Sequence, residues 1–320
     1  MKILFISAGR IGDAVLSTGL LAHLAECHPE ARFTVACGPA PAALFRPAPF
    51  VERVIPMPKR RRAGHWFDLW RAVAGTQWSQ VVDLRGSALS YLVLAGRRRV
   101  LKSSWEPKHR LLHLASVLGL DRPCPPRLWA TPEQEAEADR LAPPGEPILA
   151  LGPTANWGGK QWPAERFRAV AERLTGPGGI LAGARLAVFG GPGECDVAAP
   201  VFEAVPQERR IDAVGAVDLP VAYALLKRCA LYIGNDSGLM HVAAASGIPT
   251  LGLFGPSPEV FYGPWGARCA TVRGPRSYED ICHAPDFDYR SQDCLMLDLD
   301  IGRVTDAAIR LWREKGLDPD

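Results

Sequence analysis

No stretch of about 18 apolar residues occurs in this chain of 320, so the sequence offers no candidate for a membrane-spanning helix. No CxxC pair occurs among the eight cysteines, at 27, 37, 124, 195, 229, 269, 282 and 294. A zinc ribbon is thereby disfavoured. Several of the cysteines sit in apolar contexts, where a reduced thiol behaves as a small hydrophobe. Cys282-His283 and Cys294 lack the fourth ligand and the spacing of a metal site, and no metal is expected. No signal peptide is read in Met1-Lys-Ile-Leu-Phe-Ile-Ser7, because Gly9 and Arg10 interrupt the apolar run too early. The protein is therefore expected in the cytoplasm. No repeat of solenoid length is visible. No basic-aromatic stacking platform or recognition helix points to nucleic acid.

What is present is a globular composition, 48% hydrophobic, with 31 glycines and 29 prolines as punctuation. The net charge of +3 conceals an asymmetry. Residues 1–145 carry 20 Lys+Arg against 12 Asp+Glu, and the remainder 17 against 22. An anionic partner is expected to meet the N-terminal half.

Apolar strand patterns alternate with helical ones. Strands are expected at 2–7, 32–37, 51–57 and 80–84, with a helix from about Ala14 to Cys27 and another over Ser87–Ala95. Arg97–Arg99 are expected to precede a further short strand. Pro- and Gly-rich residues 142–147 mark a boundary, after which strands at 148–152, 185–189, 231–233 and 250–254 alternate with helices. The fold class is α/β: two Rossmann-like domains, 1–145 and 146–304, facing one another across a cleft.

Four loops follow predicted parallel strands, where such sheets bind ligands. In the first, Gly9-Arg-Ile-Gly12-Asp13 resembles part of a dinucleotide fingerprint, but Val15 replaces the third glycine. Asp13 either complements a helix dipole or acts as a general base toward a hydroxyl nucleophile. In the second, Trp157-Gly-Gly-Lys160 brings a mobile cation to the start of a helix, with Thr154 nearby as a hydroxyl donor. The alternative is a solvated lysine beside a structural tryptophan. In the third, Glu194 after Gly190-Gly-Pro-Gly193 either accepts from ribose hydroxyls or favours a helix start. The fourth is Asn235-Asp236-Ser237-Gly238-Leu-Met-His241. Asp236 or Ser237 suits the N-cap of the following helix, whose free N–H groups attract phosphate. His241 lies one turn in, facing either a ligand or the helix packing.

Together these motifs resemble glycosyltransferase family 9, the ADP-heptose:lipopolysaccharide heptosyltransferases. The carriers are Ile11-Gly12-Asp13, Lys160-Gln-Trp162-Pro163, the run from Asp236 to Pro249, Phe254-Gly255-Pro256, and Cys282…Cys294-Leu-Met296. The resemblance implies a GT-B fold and inverting, metal-independent transfer without a cofactor. The donor, a nucleotide sugar and in this family typically ADP-heptose, is implied on the C-terminal domain. It implies Asp13 as base, and Thr154, Lys160, Glu194, Asp236, Ser237, Gly238 and His241 as donor contacts. It implies an anionic, lipid-linked saccharide acceptor at the inner-membrane surface. Gly12, Lys59, Arg60, Arg61, Arg62 and Arg85 are the acceptor candidates, though any one arginine also reads as a solvated loop charge. The resemblance further implies that the C-terminal helix, 305–320, rejoins the N-terminal domain. Two other readings stand beside it: a nucleotide-sugar epimerase on a similar scaffold, and a non-catalytic sugar-nucleotide or lipid-binding module.

Overall fold

The computed structural model describes residues 1–104 and 106–315. The chain divides into two compact units, Met1–Thr131 and Pro132–Asp320. The first holds five parallel strands: β1 Lys2–Ile6, β2 Arg32–Cys37, β3 Val51–Pro56, β4 Trp78–Asp83 and β5 Ala95–Val100, in the order β3-β2-β1-β4-β5. The second holds six parallel strands: β6 Ile148–Gly152, β7 Arg185–Gly190, β8 Arg210–Val214, β9 Leu231–Asn235, β10 Thr250–Phe254 and β11 Cys269–Arg273, in the order β11-β10-β9-β6-β7-β8.

The central strands are buried end to end, as continuous apolar runs such as Ile148-Leu-Ala-Leu151 require. In each sheet the winding reverses once. The reversal falls between β1 and β4 in the first sheet and between β6 and β9 in the second. Crevices at such switch points, beyond the carboxyl ends of the strands, are where these sheets take ligands. The Asp13 loop follows β1 and the Arg85 loop follows β4. The Thr154 loop follows β6 and the Asp236 loop follows β9.

Several expectations shift. The first helix begins at Ile11, not Ala14, so Gly12 and Asp13 lie in its first turn. Ser87–Ala95 is not a helix. Only Ala88–Tyr91 forms a 3-10 turn, and Leu92 and Leu94 are left exposed. Arg97–Arg99 do not precede a strand but are β5 itself, an edge strand whose charges discourage further pairing. Arg98 is held by the carbonyls of Ser90, Val93 and Ala95. The boundary between units falls after Thr131, because the Pro132–Leu141 helix packs on the Leu219–Leu226 helix and Arg228 bridges to Glu135 and Asp139. The last helix, Ile301–Lys315, packs on the Ala164–Thr175 helix and on β10 and β11. Val304, Ala308 and Leu311 enter the second core at helical spacing. Residues 316–320 of the expected helix lie outside the described residues.

All eight cysteines are free. Burial pushes the Cys37 and Cys269 thiols up to about 12, so both remain protonated and pack as apolar groups.

Tyr232, on β9, is completely buried between two glycines. A Cβ at Gly152 would stand 2.0 Å from the Tyr232 hydroxyl, and one at Gly234 2.2 Å. Only glycine at both strand ends leaves room for this ring. Its hydroxyl is buried with no well-formed hydrogen bond among the described residues, and burial holds its pKa well above the ordinary phenol value, offset in part by a weak interaction with the neighbouring Ser237 hydroxyl. Tyr232→Phe keeps the ring and removes the unsatisfied oxygen. It is expected to raise stability by about 1 kcal/mol, read from chemical denaturation. A loss of similar size would show that the hydroxyl is bonded in solution.

Candidate active site

In the second unit the loops after β6 and β9 are locked together. Asn235, at the end of β9 and fully buried, donates from Nδ2 to the Pro153 carbonyl, 2.7 Å, and accepts from the Trp162 amide on Oδ1, 3.1 Å. One side chain thus fixes both ends of the loop that carries Lys160. The segment 291–299 clamps the same loop from outside. Trp157 Nε1 donates to the Ser291 carbonyl, 2.8 Å, Gly158 N to Gln292 Oε1, 2.9 Å, and Trp162 Nε1 to the Leu299 carbonyl, 2.9 Å. A Cβ at Gly158 would lie 2.0 Å from the Gln292 carbonyl oxygen, so the approach requires glycine. These contacts give a physical role to the late segment around Cys294-Leu-Met296.

Lys160 is held pointing at the β9 loop. Its Nζ donates to Asp236 Oδ2 at 2.5 Å, and Ser257 Oγ donates to the same oxygen at 2.7 Å. The Asp236 side chain is 7% exposed and that of Lys160 23%, so the cation keeps access to solvent while its anchor does not. Arg273 in turn braces the Ser257 turn through the carbonyls of Gly255 and Ser257, at 2.8 and 2.7 Å.

The helix Gly238–Ala245 starts directly after this anchor. Ser237 occupies the N-cap position in extended geometry, but contrary to expectation no side chain caps the helix. Asp236 is turned to Lys160 and Ser257 instead, and the buried Ser237 Oγ makes no well-formed hydrogen bond among the described residues. The first-turn amides therefore carry no side-chain cap. An uncapped helix start beside a lysine has the donors and the field for a phosphate group. His241 lies one turn further in and is 4% exposed.

Thr154 and Glu194 both flank Gly190 at the end of β7. A Cβ at Gly190 would contact Val214, Glu194 Oε2 and Thr154 Cγ2 at 3.1, 3.3 and 3.4 Å. Glu194 Oε2 accepts from the Gly191 amide, 2.6 Å, which folds the loop back on itself. Thr154, Lys160, Glu194, Asp236, Ser237 and Gly238 are thus gathered along the carboxyl ends of β6, β7 and β9.

In the first unit Asp13 is half-buried in the first helical turn. Arg110 Nε stands 3.9 Å from its Oδ1. Arg110 is fixed by His113, whose Nδ1 faces the guanidinium at 2.8 Å and whose Nε2 faces the Lys102 carbonyl at 2.8 Å. A guanidinium can only donate, so Nδ1 accepts and Nε2–H donates. Asp13 and Arg110 thus form a carboxylate and cation pair at the β1 switch point. The Arg85 loop is shaped by Asp83, fully buried, which accepts from the Arg85 and Ser87 amides at 2.8 Å each. Arg85 itself lies over the Trp66 ring, 4.8 Å from its centroid. Arg60 pairs with Asp68 at 2.7 Å, while Lys59, Arg61 and Arg62 are exposed. Arg62 takes the left-handed conformation at φ 51°, uncommon for a residue with a side chain.

Asn235, Ser257, Asp83 and Arg110 were not singled out from the sequence. Of these only Ser257 carried a signal, as a hydroxyl just past a predicted strand.

Two parallel sheets, each with its polar loops at the switch point, define an α/β protein of the GT-B type, built from two Rossmann-like domains. Residues 85–286, well over half of the chain, match the profile of glycosyltransferase family 9 (heptosyltransferase). The chain belongs to that family. It is 27% identical to lipopolysaccharide heptosyltransferase 2 of Salmonella typhimurium over 320 aligned residues, covering 88% of this chain and 90% of that one. Its fold is similar to that of a family 9 glycosyltransferase from Veillonella parvula, with a TM-score of 0.80 at 22% identity over 98% of both chains. It is also similar to the E. coli heptosyltransferase WaaC with ADP, with a TM-score of 0.70 at 17% identity over 97% of this chain and 100% of that one.

Proposed function

We propose that this enzyme transfers heptose from ADP-heptose to the core of a lipopolysaccharide acceptor, with inversion and without a metal ion. The observation that carries the reading is the Lys160–Asp236–Ser257 cluster set beside an uncapped helix start. In the reaction the acceptor oxygen bonds to the anomeric carbon and the bond to the β-phosphate oxygen breaks. The electron pair leaves on the diphosphate. Lys160 and the amides of the Gly238 turn meet that charge, the preorganised kind of stabilisation that contributes most in such steps. Asp13 takes the proton of the attacking hydroxyl. Thr154 contacts the donor phosphates, Glu194 the ribose, and His241 completes the donor loop. Gly12, Lys59, Arg60, Arg61, Arg62 and Arg85 are assigned to the anionic, lipid-linked acceptor at the inner-membrane surface. The ADP-bound relative supports the choice of nucleotide, and the basic first unit supports an anionic acceptor.

Donor choice is read by thermal shift. ADP and ADP-heptose are expected to raise the melting temperature, by about 2.7 kcal/mol of added stability at a hundredfold excess over Kd. UDP, GDP and their sugars are expected to leave it in place. Stabilisation by UDP or GDP sugars alone would overturn the donor assignment.

A further inference from the structure

The helix Gly64–Val73 buries Leu69 and Val73 in the first core and turns a second apolar stripe outward. Phe67 is 59% exposed and Trp70 37%, with their rings stacked at 5.9 Å. Trp70 Nε1 donates to the Leu92 carbonyl, 3.1 Å, which ties the helix to the turn before β5. That turn presents Tyr91, Leu92 and Leu94, each about two-thirds exposed. Trp66, Phe67, Trp70, Leu89 and Leu92 line a shallow pocket of about 810 Å³. Exposed aromatic and leucine side chains clustered on one face in this way mark an interaction site.

Charge identifies its occupant. Between residues 59 and 99 stand nine Lys and Arg against two Asp and no Glu. Both carboxylates are engaged, Asp68 by Arg60 and Asp83 by the amides of the Arg85 loop. Arg85 lies on Trp66 in the pocket wall, and Arg61 and Arg62 are exposed in the turn that precedes the helix. Aromatic rings and leucines rimmed by uncompensated arginines suit the interface of an anionic bilayer, where rings sit at headgroup level and cations meet lipid phosphates.

We infer that the face formed by the 64–73 helix and the 88–94 turn inserts into the surface of an anionic lipid bilayer. The inference rests on the membrane-surface contact proposed above and assigns its anchoring to side chains outside the acceptor set, chiefly Phe67, Trp70 and Leu92, with Arg61 and Arg62 of that set also facing the lipid phosphates. It divides the work on this unit: arginines attract the surface and the apolar stripe anchors in it.

The test is sedimentation of the full-length protein with vesicles, without nucleotide or acceptor. Binding is expected to phosphatidylcholine vesicles that contain phosphatidylglycerol, and to fall sharply with phosphatidylcholine alone. Phe67→Ser with Leu92→Ser is expected to lower the partition coefficient about tenfold or more. Arg61→Ser and Arg62→Ser are each expected to lower it about fivefold, an effect lost at high salt. All four positions are exposed, and circular dichroism melts check that the variants fold. The inference is overturned if the protein ignores phosphatidylglycerol vesicles, if the Phe67/Leu92 variant sediments like the parent, or if the same substitutions instead abolish a concentration-dependent dimer. Because no transfer or nucleotide is read, such a failure leaves the donor thermal shift standing, and a failed thermal shift leaves this result standing.

Discussion

Lys160→Ala is expected to weaken ADP binding about a hundredfold, as loss of a charge-assisted phosphate contact in a partly shielded site does. The same change leaves the buried Asp236 carboxylate with the Ser257 hydroxyl still donating to it but without its cation. An orphaned buried carboxylate is costly. Because the Lys160 side chain keeps 23% of its surface exposed, the pair is screened in part, and the stability loss is expected to be about 2 kcal/mol rather than the 3–5 kcal/mol of a fully buried pair. Calorimetric titration with ADP and urea denaturation read the two effects separately. Lys160→Met, which keeps the aliphatic stem, should lose the affinity equally. Unchanged ADP affinity in either variant would remove Lys160 from the donor site and leave it a structural cation for Asp236.

Asp13→Asn is expected to lower kcat by a factor of about 10² to 10⁴, the usual contribution of a positioned base. ADP affinity should stay at the parent value, since every proposed donor contact lies in the second unit. The amide keeps the shape of the side chain, and Asp13 is only half-buried, so the fold should tolerate it. The loss then appears in turnover and not in donor binding, as expected when an interaction is made only in the transition state. Arg110 stands 3.9 Å away, so the substitution also leaves a cation without its nearest carboxylate. Asp13→Ala with Arg110→Ala distinguishes the two effects: if Asp13 acts as base, removing Arg110 does not restore the rate.

The sequence carried the interior strands clearly because they are apolar on both faces. Ile148–Leu151 and Thr250–Phe254 needed no context to be read. β8 and β11 were not anticipated. They are the edges of the second sheet, with alternate residues exposed in β8 and only Val272 well buried in β11, so neither forms a continuous apolar run. The Ser87–Ala95 apolar run imitated a helix because Tyr91, Leu92 and Leu94 are exposed, which nothing local distinguishes from a buried stripe. At the site, glycine-punctuated loops after strands were visible and carried Lys160, Glu194 and Asp236. Asn235 and Asp83 were hidden because their partners lie in other loops or are backbone amides. The Asn235–Trp162 bond spans 73 residues of sequence, and no spacing rule reports it. Arg110 was masked by the apolar pattern of its own helix. The helix cap was misread for a related reason: Asp236 and Ser237 have the side chains of a cap, but Lys160 and Ser257 draw the aspartate away from it.

That displacement links the local geometry to the proposed chemistry. A helix whose N-terminus is left without a side-chain cap, next to a lysine held by a buried aspartate, has its charge arranged in advance of any ligand.

A transfer reaction with ADP-heptose and a lipid-linked core acceptor, in the presence of EDTA, following ADP release and acceptor mass together, tests the proposed mechanism most directly. One heptose added to the acceptor per ADP released, in the parent protein and not in Asp13→Asn, is the expected result. ADP release without any gain in acceptor mass, or equal transfer by Asp13→Asn, would contradict it.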